Sequence, residues 1–425
     1  MTKVSECIRS IQGRTVFDSR GNPTTEVEMD TDLGNVRDSC PSGASTGSQE
    51  ALELRDGSGP CGGKGVCRAV QGIEKLATLV LLQDFLITDQ GGIDEFMCQT
   101  DGTPNKANLG ANAILPLSMA FARLGAMKKE AALWQYLNEL YGGSGEKKAP
   151  KLYFNVINGG AHADNGLCIQ EVMVSFGGES VYEVLCNASS FIGVLKKQVC
   201  KKYGGSGVGD EGGFAPAIDT LEEALELIRE TEKISKITTE IAIDAAASEF
   251  YRAGKYQVKQ GEKPLSSTEL GAYYLEIAQK YKVAMLEDPF AEKDFAGWKA
   301  FLPLAQKAGI RVVGDDLLVT SAKLIHWAGQ EKLCDVALIK MNQVGTITET
   351  IRAVQEARKQ GMRIMASHRS GETEDTFLAH LAVGLEADFL KSGSLCRTER
   401  ICKYNELLRL FESPHKTCPQ TNRQQ

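Results

Sequence analysis

Three carboxylates, Asp244, Glu287 and Asp315, each close a short apolar run, and Lys340 closes the next one. Acids that converge from neighbouring strands repel unless something neutralises them. A hard divalent cation with oxygen ligands does so, and magnesium keeps coordination sites open for water or substrate. A lysine beside such a cation has two uses. It can neutralise an anionic substrate, or it can lose its proton and act as base, since burial and nearby positive charge both depress its pKa. His368, Arg369 and Ser370 follow a later run and Lys391 closes the last. Arg369, Ser370 and Lys391 form a second, cationic wall suited to phosphate or carboxylate. Glu211 lies in Gly209-Asp-Glu-Gly-Gly213, where glycines let the backbone approach a ligand. Metal, lysine and anion clamp together point to proton abstraction next to a carboxylate.

The elements that would position these groups are the apolar runs themselves: 153–157, 172–175, 207–210, 241–244, 283–287, 311–315, 336–340, 363–367 and 389–391. From Glu287 the polar ends recur about every 25 residues, the period of a βα unit. Nearly continuous apolar strands are what a parallel sheet buried on both faces requires. Between them lie helical stripes such as Ile347, Ile351, Val354 and Ala357. The sequence therefore predicts a (β/α)8-type barrel after residue 150, with its site at the C-terminal ends of the strands.

The first part of the chain reads differently. Segments 7–14 and 24–32 read as strands, the second with Glu28, Asp30 and Asp32 on a wet face, and 107–141 reads as helix interrupted at Gly125. The glycine-rich segment 141–150 is the best linker. The division is an α+β domain over 1–141 and a barrel domain over 142–425. Gly57-Ser-Gly-Pro-Cys-Gly62 matches a dinucleotide fingerprint literally, but it follows a charged segment, so a surface loop is expected. The twelve cysteines form no CxxC pair and are expected reduced and mostly buried, and the five histidines are too scattered for a His-rich metal site. The net charge, 48 basic against 55 acidic residues or −7, argues against a general nucleic-acid binder. The longest apolar run, 76–82, falls far short of the roughly 20 residues that span a bilayer, and the first residues carry no signal core. A cytoplasmic protein is expected.

Long motifs carry a family resemblance. Asp18-Ser-Arg-Gly-Asn-Pro-Thr24, Pro41-Ser-Gly-Ala-Ser-Thr-Gly47, Gly110-Ala-Asn-Ala-Ile-Leu115, Asn155-Val-Ile-Asn-Gly-Gly160, Gly209-Asp-Glu-Gly-Gly-Phe-Ala-Pro216, Ala246-Ala-Ser-Glu-Phe-Tyr251, Gly314-Asp-Asp-Leu317 and Ser367-His-Arg-Ser-Gly-Glu-Thr-Glu-Asp375 resemble enolase. The likeness runs from about residue 3 to Glu412, and His162-Ala-Asp-Asn165 and Lys391-Ser-Gly-Ser394 look closest to the bacterial branch. The resemblance implies a small α+β lid domain followed by a TIM barrel, and reversible dehydration of 2-phospho-D-glycerate to phosphoenolpyruvate. It implies Lys340 as the base at C2, and Glu211, helped by Glu171, as the acid at the C3 hydroxyl, with His162 and His368 beside them. Gln170, His162, Glu171, Arg369, Ser370 and Lys391 would bind substrate. Asp244, Glu287 and Asp315 would hold one magnesium. Ser45, on a closing loop with Gly43, Ala44 and Gly47, would help hold a second. A homodimer or larger homo-oligomer is the family expectation. The alternative on the same scaffold is a non-catalytic role at the cell surface or in an RNA-degradation assembly, which no segment marks.

Some positions depart from the family pattern. Pro116 stands inside a predicted helix, where proline costs about 3 kcal/mol. The loop 57–62 is short and glycine-rich, Val172 replaces a phenylalanine, and 413–425 lacks the usual closing segment.

Overall fold

The computed structural model describes residues 2–44, 47–259 and 261–412. Strands β1 (Ile8–Phe17), β2 (Pro23–Thr31) and β3 (Gly34–Ser39) form an antiparallel meander. Val27 and Met29 of β2 are buried while Glu28 and Asp30 are partly exposed, the alternation expected of a sheet with one wet face. β3 was not foreseen. Helices Cys67–Leu81, Gln90–Asp101 and Ala111–Lys128 supply the rest of this core. The predicted helix over 107–141 is two helices, Ala111–Lys128 and Leu133–Tyr141. Its break lies at 129–132, not at Gly125, which stays helical and whose missing side chain leaves room for the Tyr136 ring.

Pro116 lies in the interior of helix Ala111–Lys128. Its missing N–H would have bonded the carbonyl of Asn112, four residues back. That carbonyl instead accepts the hydroxyl of Thr25 on β2. The proline therefore leaves no orphan acceptor, and the helix is tied to the sheet at that point.

The remaining strands are β4 (Lys151–Asn158), β5 (Glu171–Phe176), β6 (Thr239–Asp244), a small hairpin of β7 (Tyr251–Arg252) and β8 (Lys255–Tyr256), then β9 (Val283–Glu287), β10 (Arg311–Gly314), β11 (Val336–Ile339), β12 (Arg363–Ser367) and β13 (Phe389–Lys391). All but the hairpin close into an eight-stranded barrel, ordered β4-β5-β6-β9-β10-β11-β12-β13 and back to β4. Tyr153, Met173, Ala242, Met285, Val313, Val336, Leu338, Met365 and Phe389 fill its interior, with every strand contributing.

Two expectations fail here. β5 runs antiparallel to both β4 and β6, so the sheet is not wholly parallel. The reason is the connection: 159–170 holds only a single 3-10 turn, Gly160–His162, and a parallel return needs a long crossover. The run 207–210 is not a barrel strand either. It sits in the loop between helices Val181–Tyr203 and Leu221–Ser235, which follow β5 in place of one βα unit.

Candidate active site

Side chains two apart on a strand share a face, so the residue two beyond each interior plug residue points up the barrel axis into the mouth. The rule generates the site. From Ala242, Met285, Val313, Leu338, Met365 and Phe389 it gives Asp244, Glu287, Asp315, Lys340, Ser367 and Lys391. From Tyr153 it gives Asn155. On β5 the direction is reversed, so it gives Glu171, two residues before Met173, and not the run's far end at Ser175. Asp244 and Glu287 stand opposite each other in the β6–β9 register, and Glu287 pairs with Val313 on β10.

The loop 204–220 brings Glu211 to the same place. Phe214 N–H bonds the carbonyl of Val156, and its own carbonyl accepts from Asn158, both at 2.9 Å, so the loop is laced to the upper end of β4. Side chains at Gly209 and Gly213 would collide with Asn158 and Asn155. Gln170, Glu171, Glu211, His162, Asp244, Lys340, His368, Arg369, Ser370 and Lys391 line one cavity of about 20 Å³. A wider cleft of about 550 Å³ is lined by charged residues as well, Glu222, Lys259 and Glu269 among them, but none of Asp244, Glu287, Asp315, Lys340 or Lys391 reaches it.

The cations occupy the acids. Lys391 Nζ lies 2.6 Å from Glu287 Oε1, 3.4 Å from Asp244 Oδ2 and 3.6 Å from Glu171 Oε1. Lys340 Nζ bonds Asp315 Oδ2, and Gln343 Nε2 donates to Asp315 Oδ1 at 2.9 Å. Arg369 pairs with Glu50 at 2.9 Å, and Ser370 Oγ donates to Asp210 at 3.3 Å. Gln170 Nε2 donates to Asp244 Oδ2 at 3.3 Å. Burial pushes Glu287 well above the usual carboxylate range, and Asp244 adds to this against Lys391. For Asp315 burial acts upward, yet Lys340 and Lys391 prevail and hold it low.

Lys340 departs from expectation. Burial is the largest influence and lowers its pKa, but Asp315 and Glu287 together prevail and raise the lysine above its ordinary value. The sequence anticipated the burial and missed that the neighbouring strand would set a carboxylate against the ammonium.

Glu171 and Glu211 form a second centre with His162, whose Nδ1 lies 3.8 and 3.7 Å from them. Burial, and then the charge of Glu211, push Glu171 well above its ordinary range. Burial also works against ionised Glu211, but the imidazoles of His368 and His162, with Arg400, outweigh it and hold this carboxylate low. His368 is pushed down to about 4 by burial, against the pull of Glu211, so it is neutral at neutral pH.

Hard oxygen donors at adjacent strand ends, buried and mutually repelling, suit a magnesium ion. Among the described residues, two groups of ligating atoms lie within 4.8 Å of one another: His162 with Glu171 and Glu211, and Asp288 with Asp315 and Asp316. The expected trio of Asp244, Glu287 and Asp315 is not so tightly gathered, because Lys391 sits among Glu287, Asp244 and Glu171. Asp288 is spoken for, its two oxygens accepting the N–H groups of Asp315 and Asp316 at 2.9 and 2.8 Å. Ser45 lies outside the described residues. The backbone is strained around this mouth, with Ala246, Asp288, Val319 and Thr320 at φ between 40° and 55°.

Sequence reasoning missed Asn155, Gln343, Glu50 and Arg400. The cysteines also differ from expectation, since of the eleven free ones described only Cys7, Cys40 and Cys334 are buried. The segment 57–62 is an exposed loop, as expected. No helix among the described residues is long and apolar enough to cross a membrane.

Two family models match the chain: the enolase N-terminal domain over residues 8–137 and the enolase C-terminal TIM barrel domain over residues 147–420. A relative, Enolase 1 of Entamoeba histolytica, is 44% identical over 421 residues, covering 95% of this chain and 96% of that protein.

Proposed function

The chain belongs to the enolase family, and from that premise we propose how its side chains divide the reaction. The reaction is the magnesium-dependent, reversible dehydration of 2-phospho-D-glycerate to phosphoenolpyruvate, a glycolytic hydro-lyase step. The single observation that carries the proposal is the convergence of Lys340, Glu211 and Asp244 around one cavity, with Glu287 opposite Asp244 in the strand register and Asp315 against Lys340.

Lys340 takes the proton from C2. It acts as the free amine, having released its own proton to solvent; its strand ends at Ile339 and its backbone N–H is held by the Thr320 hydroxyl at 2.9 Å, so the barrel fixes where the side chain starts. Glu211 delivers a proton to the departing C3 hydroxyl, which leaves as water. Glu171 stores that proton until Glu211 passes it on, which the opposite pKa shifts of the pair support. Arg369, Ser370 and Lys391, with His162, His368 and Gln170, bind the phosphate and carboxylate ends and orient C2 and C3. Asp244, Glu287 and Asp315 would hold magnesium, which when bound would supply positive charge for the substrate carboxylate; an Asp315 engaged there would no longer hold the proton on Lys340.

Further parts of the reading extend the family's pattern to this chain. A second magnesium involves Ser45. The chain divides at 141/142, works as a homodimer and is cytoplasmic. Light scattering and cell fractionation test the last two.

The principal experiment follows phosphoenolpyruvate absorbance with 2-phosphoglycerate, with and without magnesium. Activity that EDTA abolishes and that Lys340→Ala lacks is expected. Full turnover by Lys340→Ala would remove the lysine from the role of base.

A further inference from the structure

We propose that Arg400 is a positioning residue that holds His368 as its Nε2–H tautomer, making Oε2 of Glu211 a fixed acceptor and leaving Oε1 to carry the proton. The part concerning the proton rests on the reading of Glu211 as the acid; the tautomer does not.

A guanidinium has five N–H donors and no acceptor. Arg400 Nη1 lies 2.5 Å from His368 Nδ1, so that nitrogen accepts. A neutral imidazole then bears its hydrogen on Nε2. Nε2 lies 3.4 Å from Glu211 Oε2, and Asn155 Nδ2 donates to the same oxygen at 3.0 Å. A proton on Oε2 would face two other hydrogens. Oε1 lies 3.7 Å from His162 Nδ1, beyond hydrogen-bond reach, and is the oxygen left for it.

The same guanidinium fixes the distance between His368 and Glu211. Nη2 donates to the carbonyl of Asp210 at 3.1 Å and to that of Ser370, and Nη1 also donates to the carbonyl of Arg369. Arg400 thereby staples the residue before Glu211 to the two residues after His368. It is fully buried, and a side chain at Gly393 would meet its stem at 2.9 Å, so it has no slack. Its helix, Thr398–Phe411, places it on one stripe with buried Tyr404 and Leu407.

The test is long-range 1H–15N NMR of the metal-free protein labelled with 15N-histidine, with His368→Gln to assign the ring. At neutral pH His368 is expected as a single Nε2–H tautomer. An Nδ1–H or doubly protonated ring would overturn the proposal, and this measurement needs no folded variant of Arg400. Arg400→Met is expected to mix the tautomers and lower kcat by about 10–100-fold, the usual cost of losing a partner that orients a functional histidine, with KM within about threefold. Arg400→Lys, which keeps one donor, is expected to recover part of kcat. An unchanged tautomer in Arg400→Met, or a loss confined to KM, would overturn the positioning role. If His368 is the expected tautomer but Glu211→Gln retains full turnover, the reading of Glu211 as acid fails while the lock on His368 stands.

Discussion

Both carboxylate oxygens of Glu287 accept hydrogen bonds from Lys391, at 2.6 and 2.8 Å. The pair is almost wholly buried, and Asp244 stands beside it. Lys391 thus supplies, in this arrangement, the positive charge that the acids at the barrel mouth require. Lys391→Met should leave Glu287 and Asp244 facing each other uncompensated. In EDTA that variant is expected to lose about 3–5 kcal/mol of unfolding free energy, the usual cost of removing one partner of a buried ion pair. Magnesium should recover part of it, because a ligand that binds only the folded state stabilises by mass action. The check is thermal unfolding with and without magnesium. A magnesium shift no larger in the variant than in the parent would contradict the arrangement.

Base and acid act at different carbons, so their removal should separate two observable steps. Lys340→Ala is expected to lower both turnover and exchange of the C2 hydrogen with solvent deuterium by about 10²–10⁴-fold. Glu211→Gln should lose turnover comparably yet keep measurable C2 exchange, since Lys340 is intact. NMR of 2-phosphoglycerate in heavy water reads the exchange directly. If both variants lose exchange equally, the two steps are not divided between these residues.

Much of this site was legible because strand ends and polar residues coincide along the chain. Asp244, Glu287, Asp315, Lys340 and Lys391 each follow an apolar residue by two in strands of one direction. Glu171 broke that rule, since only the missing helix between 158 and 171 reveals that β5 turns back. The run 207–210 deceived for a related reason: short and glycine-rich, it resembles a strand end but is a loop held to β4 by Phe214. Arg400 drew no reading from the sequence, where it stands among charged residues beside Glu399. The signal that could have found it is its position four and seven residues before Tyr404 and Leu407, on the apolar stripe. The raised pKa of Lys340 was out of reach, because it depends on which side chain of the neighbouring strand meets the ammonium and not on anything adjacent in sequence.

Thr25 and Pro116 are coupled through a carbonyl that neither of them owns. Thr25→Val should leave the buried Asn112 carbonyl without a partner and cost about 1–3 kcal/mol. In a Pro116→Ala background the restored helical N–H can take that carbonyl, so the same substitution should cost less. A double-mutant cycle by urea unfolding measures the difference. Strict additivity would mean that the Thr25 hydroxyl does not compensate the proline.

The helix that carries Arg400 is fastened to its neighbour by Glu406, which accepts from His380 at 3.2 Å and from Arg409 at 2.7 Å. The hydrogen bond from His380, reinforced by Arg409 against partial burial, lowers the Glu406 carboxyl from 4.5 to about 2. A carboxyl whose pKa is depressed on folding stabilises the protein above its unfolded value, and that contribution fades as pH falls through the folded one. The window is therefore between about pH 4.5 and about pH 2. Glu406→Gln should be less stable than the parent at pH 6, and the gap should close progressively below about pH 4.5. The carboxyl is only partly buried, so the gap is expected to be modest and to shrink in high salt. Urea midpoints of the two proteins from pH 6 downward, at low and high ionic strength, would show it. A gap that stays constant across that window would mean that the interaction with His380 and Arg409 does not depend on the charge of Glu406.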